Sequence, residues 1–230
     1  DGAKGIAKGV ELTFDAIEQR DDAFHAVYLA GKSRLKLENR AYRYIAAEAD
    51  AQKKYYKSSP ENKRSLAKSL DWAKKKCVKA IEKYTLALKA VQYIRMAFCS
   101  VNFKTGELIT ADMAKALLTE AVAMLRETQY RDCMRVALYL ENRIKGLTLA
   151  TSATYQHLSA LKSHYSDEAI SLTCRLIERK RKLKKMSPWK RKQVGKEIVG
   201  AYYLLCNELD EDGVNELMAI IARLFQTRHM

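Results

Sequence analysis

The scarcity of residues that break helices is the strongest constraint on the fold of this chain. Two prolines, Pro60 and Pro188, and nine glycines occur among 230 residues. A β-sheet protein of this length needs many more turn-forming residues. Residues that favour helices, chiefly Ala, Leu, Lys, Glu and Arg, dominate instead. The sequence therefore predicts an all-α fold.

Apolar spacing and capping signals divide the chain into about eight to nine helices. Two of them open with a serine at the N-cap and a proline in the first turn, at Ser59-Pro60 and Ser187-Pro188. A connection is predicted at 102–108 and a polar break at 147–153. The predicted helices span residues 5–20, 23–57, 60–99, 111–128, 130–145, 154–164, 167–185 and 188–209, and a last helix follows the acidic turn 210–213 and runs to residue 228.

These helices are expected to form one domain over residues 1–230, with a sub-boundary near 147–153. The helices at 23–57 and 60–99 should form a long antiparallel hairpin, because a short loop joins them. Residues 80–88 resemble the second helix of a tetratricopeptide repeat, so tetratricopeptide-like helix pairs are expected to extend the hairpin.

Large apolar residues suggest where the helices pack. The apolar stripe of helix 23–57 includes Phe24, Val27, Tyr28, Leu35, Tyr42 and Ile45. Tyrosines at these spacings occur more often in a core than in stacking platforms. We therefore expect core positions for Tyr42, Tyr44, Tyr84, Tyr93, Tyr139, Tyr202 and Tyr203.

The positive charge is concentrated in three segments. The net charge is +15 and the sequence pI is near 9.5, which bears on binding partners rather than on the fold. Residues 32–43 carry five basic residues against Glu38, residues 53–83 carry eleven against three acids, and residues 175–196 carry eleven against Glu178. Like charges at helical spacing repel each other, and a phosphate backbone would relieve that repulsion.

Features that the predicted helices lack argue against two kinds of anionic partner, a membrane surface and a specific DNA sequence. A membrane-surface helix needs a broad apolar face, whereas residues 175–196 have a broken one. No helix-turn-helix or zinc-finger pattern indicates sequence-specific DNA binding. Structured RNA, recognised through its phosphates and shape, fits best. Two readings remain open: a helical tetratricopeptide or 14-3-3-like module for acidic or phosphorylated partners, and a basic protein peripheral to a membrane.

Catalytic, metal and cofactor motifs are not recognisable. The chain has no GxGxxG, GxxxxGK[ST], HExxH or GxSxG pattern, so we expect neither an enzyme nor a bound cofactor. The five cysteines are far apart and indicate free buried thiols. His157 and His164 have no neighbouring carboxylate or thiol to complete a metal site. With no signal peptide and no apolar run approaching 18 residues, a cytoplasmic protein without an integral membrane segment is expected.

Four stretches, in order, carry a resemblance to a known family. They are residues 24–36 (FHAVY and SRLK), 39–64 (NRAYRY and SPENKR), 91–125 (beginning VQYI) and 137–144 (ALYLENRI). Together they resemble the N-terminal RNA-binding domain of the 68-kDa subunit of the signal recognition particle. The resemblance covers about residues 10–145, and the last 80 residues have no counterpart.

The resemblance implies an RNA-binding structural subunit of a ribonucleoprotein, with signal recognition particle RNA and other subunits, the 72-kDa subunit among them, as partners. It implies RNA contacts by Lys32, Arg34, Lys36, Arg40, Arg43, Lys63 and Arg64. From the charge clusters themselves we add Lys75, Arg179, Arg181, Lys182, Lys185, Lys190 and Arg191.

Overall fold

The computed structural model describes residues 23–103, 105–183 and 186–227. Eight α-helices occur in these ranges: α1 Ala23–Lys57, α2 Pro60–Ala97, α3 Ala111–Glu127, α4 Arg131–Glu141, α5 Ile144–Ala160, α6 Asp167–Leu183, α7 Pro188–Glu208 and α8 Glu211–Thr227. A 3₁₀ turn, Leu161–Ser163, follows α5. Within these ranges, β pairing consists of one isolated bridge between Val101 and Leu108. The all-α prediction is confirmed.

Several predictions fall beyond these ranges. The helix predicted at residues 5–20 and the RNA contact predicted at Lys185 lie outside the described residues.

Side-chain caps fix two of the predicted helix starts, whereas the N-cap serines Ser59 and Ser187 make no side-chain capping bond. The backbone N–H of Met113 donates to Thr110 Oγ1 over 3.1 Å, and that of Ala169 donates to Ser166 Oγ over 3.0 Å. These bonds satisfy donors that the first turns of α3 and α6 would otherwise leave unpaired. Both helices therefore begin where the sequence predicted.

The predicted break at 147–153 is wrong, because these residues lie inside α5. The two threonine hydroxyls of this segment are hydrogen-bonded while the helix continues. Thr148 Oγ1 donates to the carbonyl of Ile144 over 2.9 Å, and buried Thr151 donates to the carbonyl of Ala97 over 3.2 Å. The chain instead turns at residues 142–143, between α4 and α5.

The helices enclose two hydrophobic cores. The first lies among α1, the C-terminal half of α2, α3 and α4, and ends at Leu147 of α5. The second lies among α6, α7 and α8, and includes Leu158 of α5 and Val101 of the connection before α3. The change from one core to the other thus falls within α5. Glu178 of α6 also accepts a hydrogen bond from the backbone N–H of Ser100, which ties the two halves together.

α1 and α2 pack along a seam of mostly small side chains. On each helix the seam positions are spaced by three and four residues, as in a coiled coil. They are Ala26, Ala30, Ser33, Leu37, Ala41, Tyr44 and Glu48 on α1, and Leu70, Ala73, Cys77, Ala80, Tyr84, Ala87, Val91 and Ile94 on α2. Tyr84 donates its hydroxyl proton to Glu38 over 3.3 Å, which sets the antiparallel register.

The far half of this pair projects beyond both cores. Every residue from 42 to 69 is exposed or half-buried, and the buried seam residues Leu70, Ala73, Cys77 and Ala80 belong to neither core. We call residues 41–80 the arm. A hydrogen bond and charge from Glu48, together with burial, raise the pKa of the Cys77 thiol in its seam.

Of the large side chains of α1, the seam uses Leu37 and Tyr44 but none of the predicted apolar stripe. Phe24, Tyr28, Leu35, Tyr42 and Ile45 are exposed, although such a stripe normally faces a core. The core expectation for Tyr42, Tyr202 and Tyr203 is therefore wrong, since all three are exposed. Tyr84, Tyr93 and Tyr139 do pack against the first core.

The thiols are free, as predicted, but they are not all buried. Cys77, Cys133 and Cys174 are buried, Cys99 is half-buried, and Cys206 is exposed on α7.

Two neighbouring leucines test the direction in which α1 faces. Leu37 is 1% exposed and Leu35 is 49% exposed. We expect Leu37→Ala to lower the free energy of unfolding by about 2–5 kcal/mol, because it leaves a cavity in the first core. Leu35→Ala, the matched control, should change it by no more than about 0.5 kcal/mol. Denaturant unfolding followed by circular dichroism measures both, and equal losses would contradict the assigned rotation of α1.

Candidate nucleic-acid interface

An open cleft with a volume of about 640 Å³ brings together three of the predicted RNA contacts, Lys36, Arg40 and Arg43. We call it the α1–α4 cleft. Its lining residues are Lys36, Asn39, Arg40, Arg43, Tyr44 and Tyr130. Cations and aromatic rings around one concave surface are the groups that hold phosphates and stack on bases.

Helical periodicity explains why α1 contributes five of these residues. Each of positions 36, 39, 40 and 43 lies three or four residues from another of them, so they form one continuous stripe, and Tyr44 of the seam borders it. At about 100° per residue, the stripe lies to one side of the α1–α2 seam. The seam therefore fixes its direction.

The opposite wall comes from the start of α4. Tyr130 is the N-cap residue of α4 and makes no side-chain capping bond. The positive end of the α4 dipole thus adjoins the cationic stripe of α1. Both contributions favour an anion in the cleft.

Tyr44 reports the positive potential of this cleft. Hydrogen bonding and charge from Arg40 lower the pKa of Tyr44, and the charges of Lys76 and Arg43 lower it further. The guanidinium carbon of Arg40 lies 5.7 Å from the centre of the Tyr44 ring. Lys76, from α2, thus belongs to the same electrostatic site.

One cation of the cleft is already paired. Lys36 Nζ lies 2.5 Å from Asp132 Oδ2. The hydrogen bond and the charge of Asp132 raise the pKa of Lys36, and Lys36 in turn lowers the pKa of Asp132. Arg135 and Arg131 lower the pKa of Asp132 further. An incoming phosphate would have to compete with Asp132 for Lys36, whereas Arg40 and Arg43 make no ion pair within the described ranges.

The other two predicted contacts on α1 lie outside the cleft. Lys32 Nζ is 6.0 Å from the centre of the Tyr28 ring. Arg34 pairs with Glu38, one turn further along the helix, over 3.2 Å. Both side chains therefore have local partners, and neither lines the cleft.

The arm carries the contacts predicted from the second cluster. Lys63 and Arg64 are exposed in the first turns of α2, near the tip, and the C-terminal end of α1 adds Lys53, Lys54 and Lys57. Lys75 is paired with Asp71 over 2.8 Å. Lys75 is thus compensated by an acid, whereas Lys63 and Arg64 make no ion pair among the described residues.

Two cations of the third cluster lie near the ring of Phe103, in the connection before α3. The Arg179 guanidinium carbon and Lys182 Nζ lie 5.6 Å and 5.3 Å from the centre of that ring. Arg179 also pairs with Glu197 of α7, an acid just beyond the cluster. Burial and the charge of Arg175 lower the pKa of Arg179.

Other members of this cluster make backbone contacts or face solvent. Arg181 donates to the carbonyl of Phe225 over 3.4 Å, and Arg191 donates to the carbonyl of Met186 over 3.3 Å. Lys190 is exposed beside Trp189, which is also exposed. In this cluster, Arg181 and Arg191 therefore stabilise the fold, whereas Lys190 is accessible to a ligand.

The three clusters do not form one compact surface. From Lys63 to the end of α2 at Ala97 the helix rises about 50 Å. Phe103, with Arg179 and Lys182, lies six residues beyond that end. The arm tip and the third cluster are therefore at opposite ends of α2, and the α1–α4 cleft lies between them.

Several features of the cleft were missed from the sequence. Tyr130, Asp132, Arg131 and Arg135 were not singled out, and Tyr44 was assigned to the core. The pair Lys36–Asp132 joins residues 96 positions apart. No local pattern could reveal it.

A second cavity of about 440 Å³ lies at the start of α6, and both acidic residues (Glu107, Asp167 and Glu168) and basic residues (Lys162 and Arg175) line it.

In the part of the chain that the structure describes, no group of three or more His, Cys, Asp or Glu side chains could hold a metal ion. Among the helices described, none combines the length and apolar character that crossing a membrane requires.

No family model matches the chain, and comparison with curated proteins and with solved structures finds no match either. The function is therefore inferred from the geometry and charge of the molecule itself.

The electrostatics of the cleft can be measured through Tyr44. We expect Arg40→Gln to raise the pKa of Tyr44, because it removes the largest cause of the lowering. A pH titration of ¹³Cζ-labelled tyrosine by NMR, with Tyr44→Phe to assign the signal, measures this change. Tyr165 is the internal control, since burial and Glu216 raise its pKa. An unchanged Tyr44 pKa would show that Arg40 does not act on this ring.

Proposed function

We propose that this protein is an RNA-binding structural subunit of a ribonucleoprotein, which binds structured RNA through its basic helices. The observation that carries the proposal is the α1–α4 cleft, where Arg40, Arg43 and Lys76 set the potential around Tyr44. The resemblance to the 68-kDa subunit of the signal recognition particle narrows the proposed partners to that particle's RNA and subunits, and the proposed location to the cytoplasm.

The distribution of charge supports a long polyanion over a small anion. The cleft lies about 30 Å from Lys63 and about 20 Å from the end of α2, measured along that helix. A single small anion could contact only one of the three clusters. An RNA helix presents phosphates at regular intervals over such a distance, and its shape can be read without base-specific contacts.

Salt dependence tests the proposal directly. We expect the affinity for a fluorescently labelled stem-loop RNA, measured by anisotropy, to fall linearly with salt on a log–log plot. Arg40→Gln combined with Arg43→Gln should reduce that slope by about two, since each lost phosphate contact removes about one. The control neutralises Lys89 and Lys115, two exposed lysines outside the clusters.

The same measurement separates the clusters. Neutralising Lys63 with Arg64, and Lys190 with Arg191, shows whether the arm tip and the third cluster also contact the RNA. A slope near zero for the native protein would refute RNA binding. A slope changed equally by the control pair would show that charge alone, and not the cleft, accounts for binding.

A gain of affinity is also expected. Asp132→Asn removes the acid that occupies Lys36, so RNA binding should become tighter and the salt slope steeper by about one. Asp167→Asn is the matched control. Asp167 pairs with Lys162 over 2.9 Å, and its replacement frees that lysine. Asp167 lies in the first turn of α6, just as Asp132 lies in the first turn of α4. Anisotropy measures both variants, and equal gains would contradict a special role for the cleft.

The second candidate function is a helical module for acidic or phosphorylated protein partners. The α1–α4 cleft favours this function, because Arg40, Arg43 and the N-terminus of α4 could together bind one phosphorylated side chain. Saturable binding of a phosphopeptide that Arg40→Gln abolishes, together with a flat salt slope for RNA, would favour this reading over RNA binding.

A further inference from the structure

The exposed apolar residues of α1 form an ordered stripe rather than a scatter. Their positions fall on an alternation of three and four residues that runs 24, 28, 31, 35, 38, 42, 45, 49, 52 and 56. Six large side chains on it are exposed, namely Phe24, Tyr28, Leu35, Tyr42, Ile45 and Tyr56. This spacing is the one by which an α-helix presents a seam to another helix.

α2 extends the stripe sideways. The contacts of Glu38 with Tyr84 and of Glu48 with Cys77 fix the register of the pair. That register sets Val78 level with Ile45, and Ile81 level with Tyr42. At about 100° per residue, both pairs project to the same side of the α1–α2 seam. Val78 and Ile81 are exposed as well.

We call Leu35, Tyr42, Ile45, Val78 and Ile81 the back face. It lies on the side opposite the α1–α4 cleft, because residues 36, 40 and 43 lie about 60–120° to one side of the seam and residues 42, 45 and 49 about 80–140° to the other. The first core and α4 pack on the cleft side. A partner on the back face would leave the proposed RNA site free.

Two cations of α2 lie at the ends of this apolar surface. A row of α2 at seven-residue intervals carries Lys74, Ile81, Leu88 and Arg95, so two exposed cations bracket the apolar positions. Asp71, further around α2, is already paired with Lys75. Within the stripe of α1, Glu38 is held by Arg34 and Tyr84.

We propose that the back face binds an amphipathic α-helix of a partner protein whose apolar stripe is flanked by acidic residues. Two antiparallel ridges with a groove between them accept a third helix by knobs-into-holes packing. The exposed ring of Tyr42 supplies contact area of the kind enriched at protein interfaces. Lys74 and Arg95 select acidic flanks. A second copy of this chain is disfavoured, because each copy carries a net charge of +15.

A pair of synthetic helices tests the proposal on the full chain. Each has about four heptads with leucine at the two apolar positions, and the flanking positions are glutamate in one peptide and lysine in the other. The acidic peptide should bind saturably, with a gain of helix seen by circular dichroism. The basic peptide should bind at least about tenfold more weakly.

Two matched valines localise the binding. Val78 on the back face and Val199 on α7 are 53% and 54% exposed. Val78→Asp should weaken binding of the acidic peptide by about tenfold or more, and Val199→Asp should leave it unchanged. Retained helix content and an unchanged RNA affinity would show that both variants are folded.

Three results would overturn the proposal. The first is equal binding of both peptides, and the second is an affinity that Val78→Asp does not change. The third is that Val78→Asp abolishes self-association, or abolishes sedimentation with vesicles of acidic lipid, while the peptide does not bind. That outcome would assign the back face to a second copy or to a membrane surface. RNA binding is measured separately, so this proposal can fail while the proposed function stands.

Discussion

The packing of small side chains between α1 and α2 is the constraint on which the rest of the structure depends. Ala30, Ala41, Ala80 and Ala87 let the two helices approach closely, since interaxial distance follows the size of the contacting residues. That approach fixes the rotation of α1. Once the seam is set, Arg40 and the other cations of the stripe must face α4, and the larger apolar residues must face the other way. A seam of large residues would have placed Tyr42 inside and rotated the cationic stripe away from Tyr130.

This rotation separates two kinds of chemistry on one long pair of helices. The cleft side is cationic, concave and close to the first core, whereas the back face is apolar and bracketed by Lys74 and Arg95. Beyond Ala41, and among the residues that the structure describes, the arm packs along its own seam alone, so its stability rests on that seam. A ligand that contacts both helices of the arm would stabilise it by binding only the folded form. Under both proposals, RNA and a partner helix would therefore act on the same element from opposite sides.

Local signals predicted the secondary structure well and its packing poorly. The helix starts at Thr110 and Ser166 follow from hydroxyl groups that accept N–H bonds three residues on, and this interaction is local. The supposed break at 147–153 failed because Thr151 reaches the carbonyl of Ala97, 54 residues away. The apolar stripe of α1 misled for a different reason. Large apolar residues with helical spacing normally mark the buried face of a helix. In α1 the neighbouring stripe, which is rich in alanine, is buried instead. The size of the residues does not show which of the two stripes is buried.

Local sequence patterns also fail to show which cations of the candidate site are available to a ligand. A count of basic residues along the sequence treats every cation as available, yet Arg34, Lys36, Lys75 and Arg179 are each held by an acid. Two of those acids, Glu38 and Asp71, lie four residues away on the same helix and could have been found by spacing. Asp132 and Glu197 lie on other helices, so tertiary structure alone places them. Among the predicted cations that no acid holds, Arg40 and Arg43 are the two that line a concave surface with an adjacent tyrosine and a helix N-terminus. The chemistry of an anion site therefore converges on these two residues, not on the segment with the most charge.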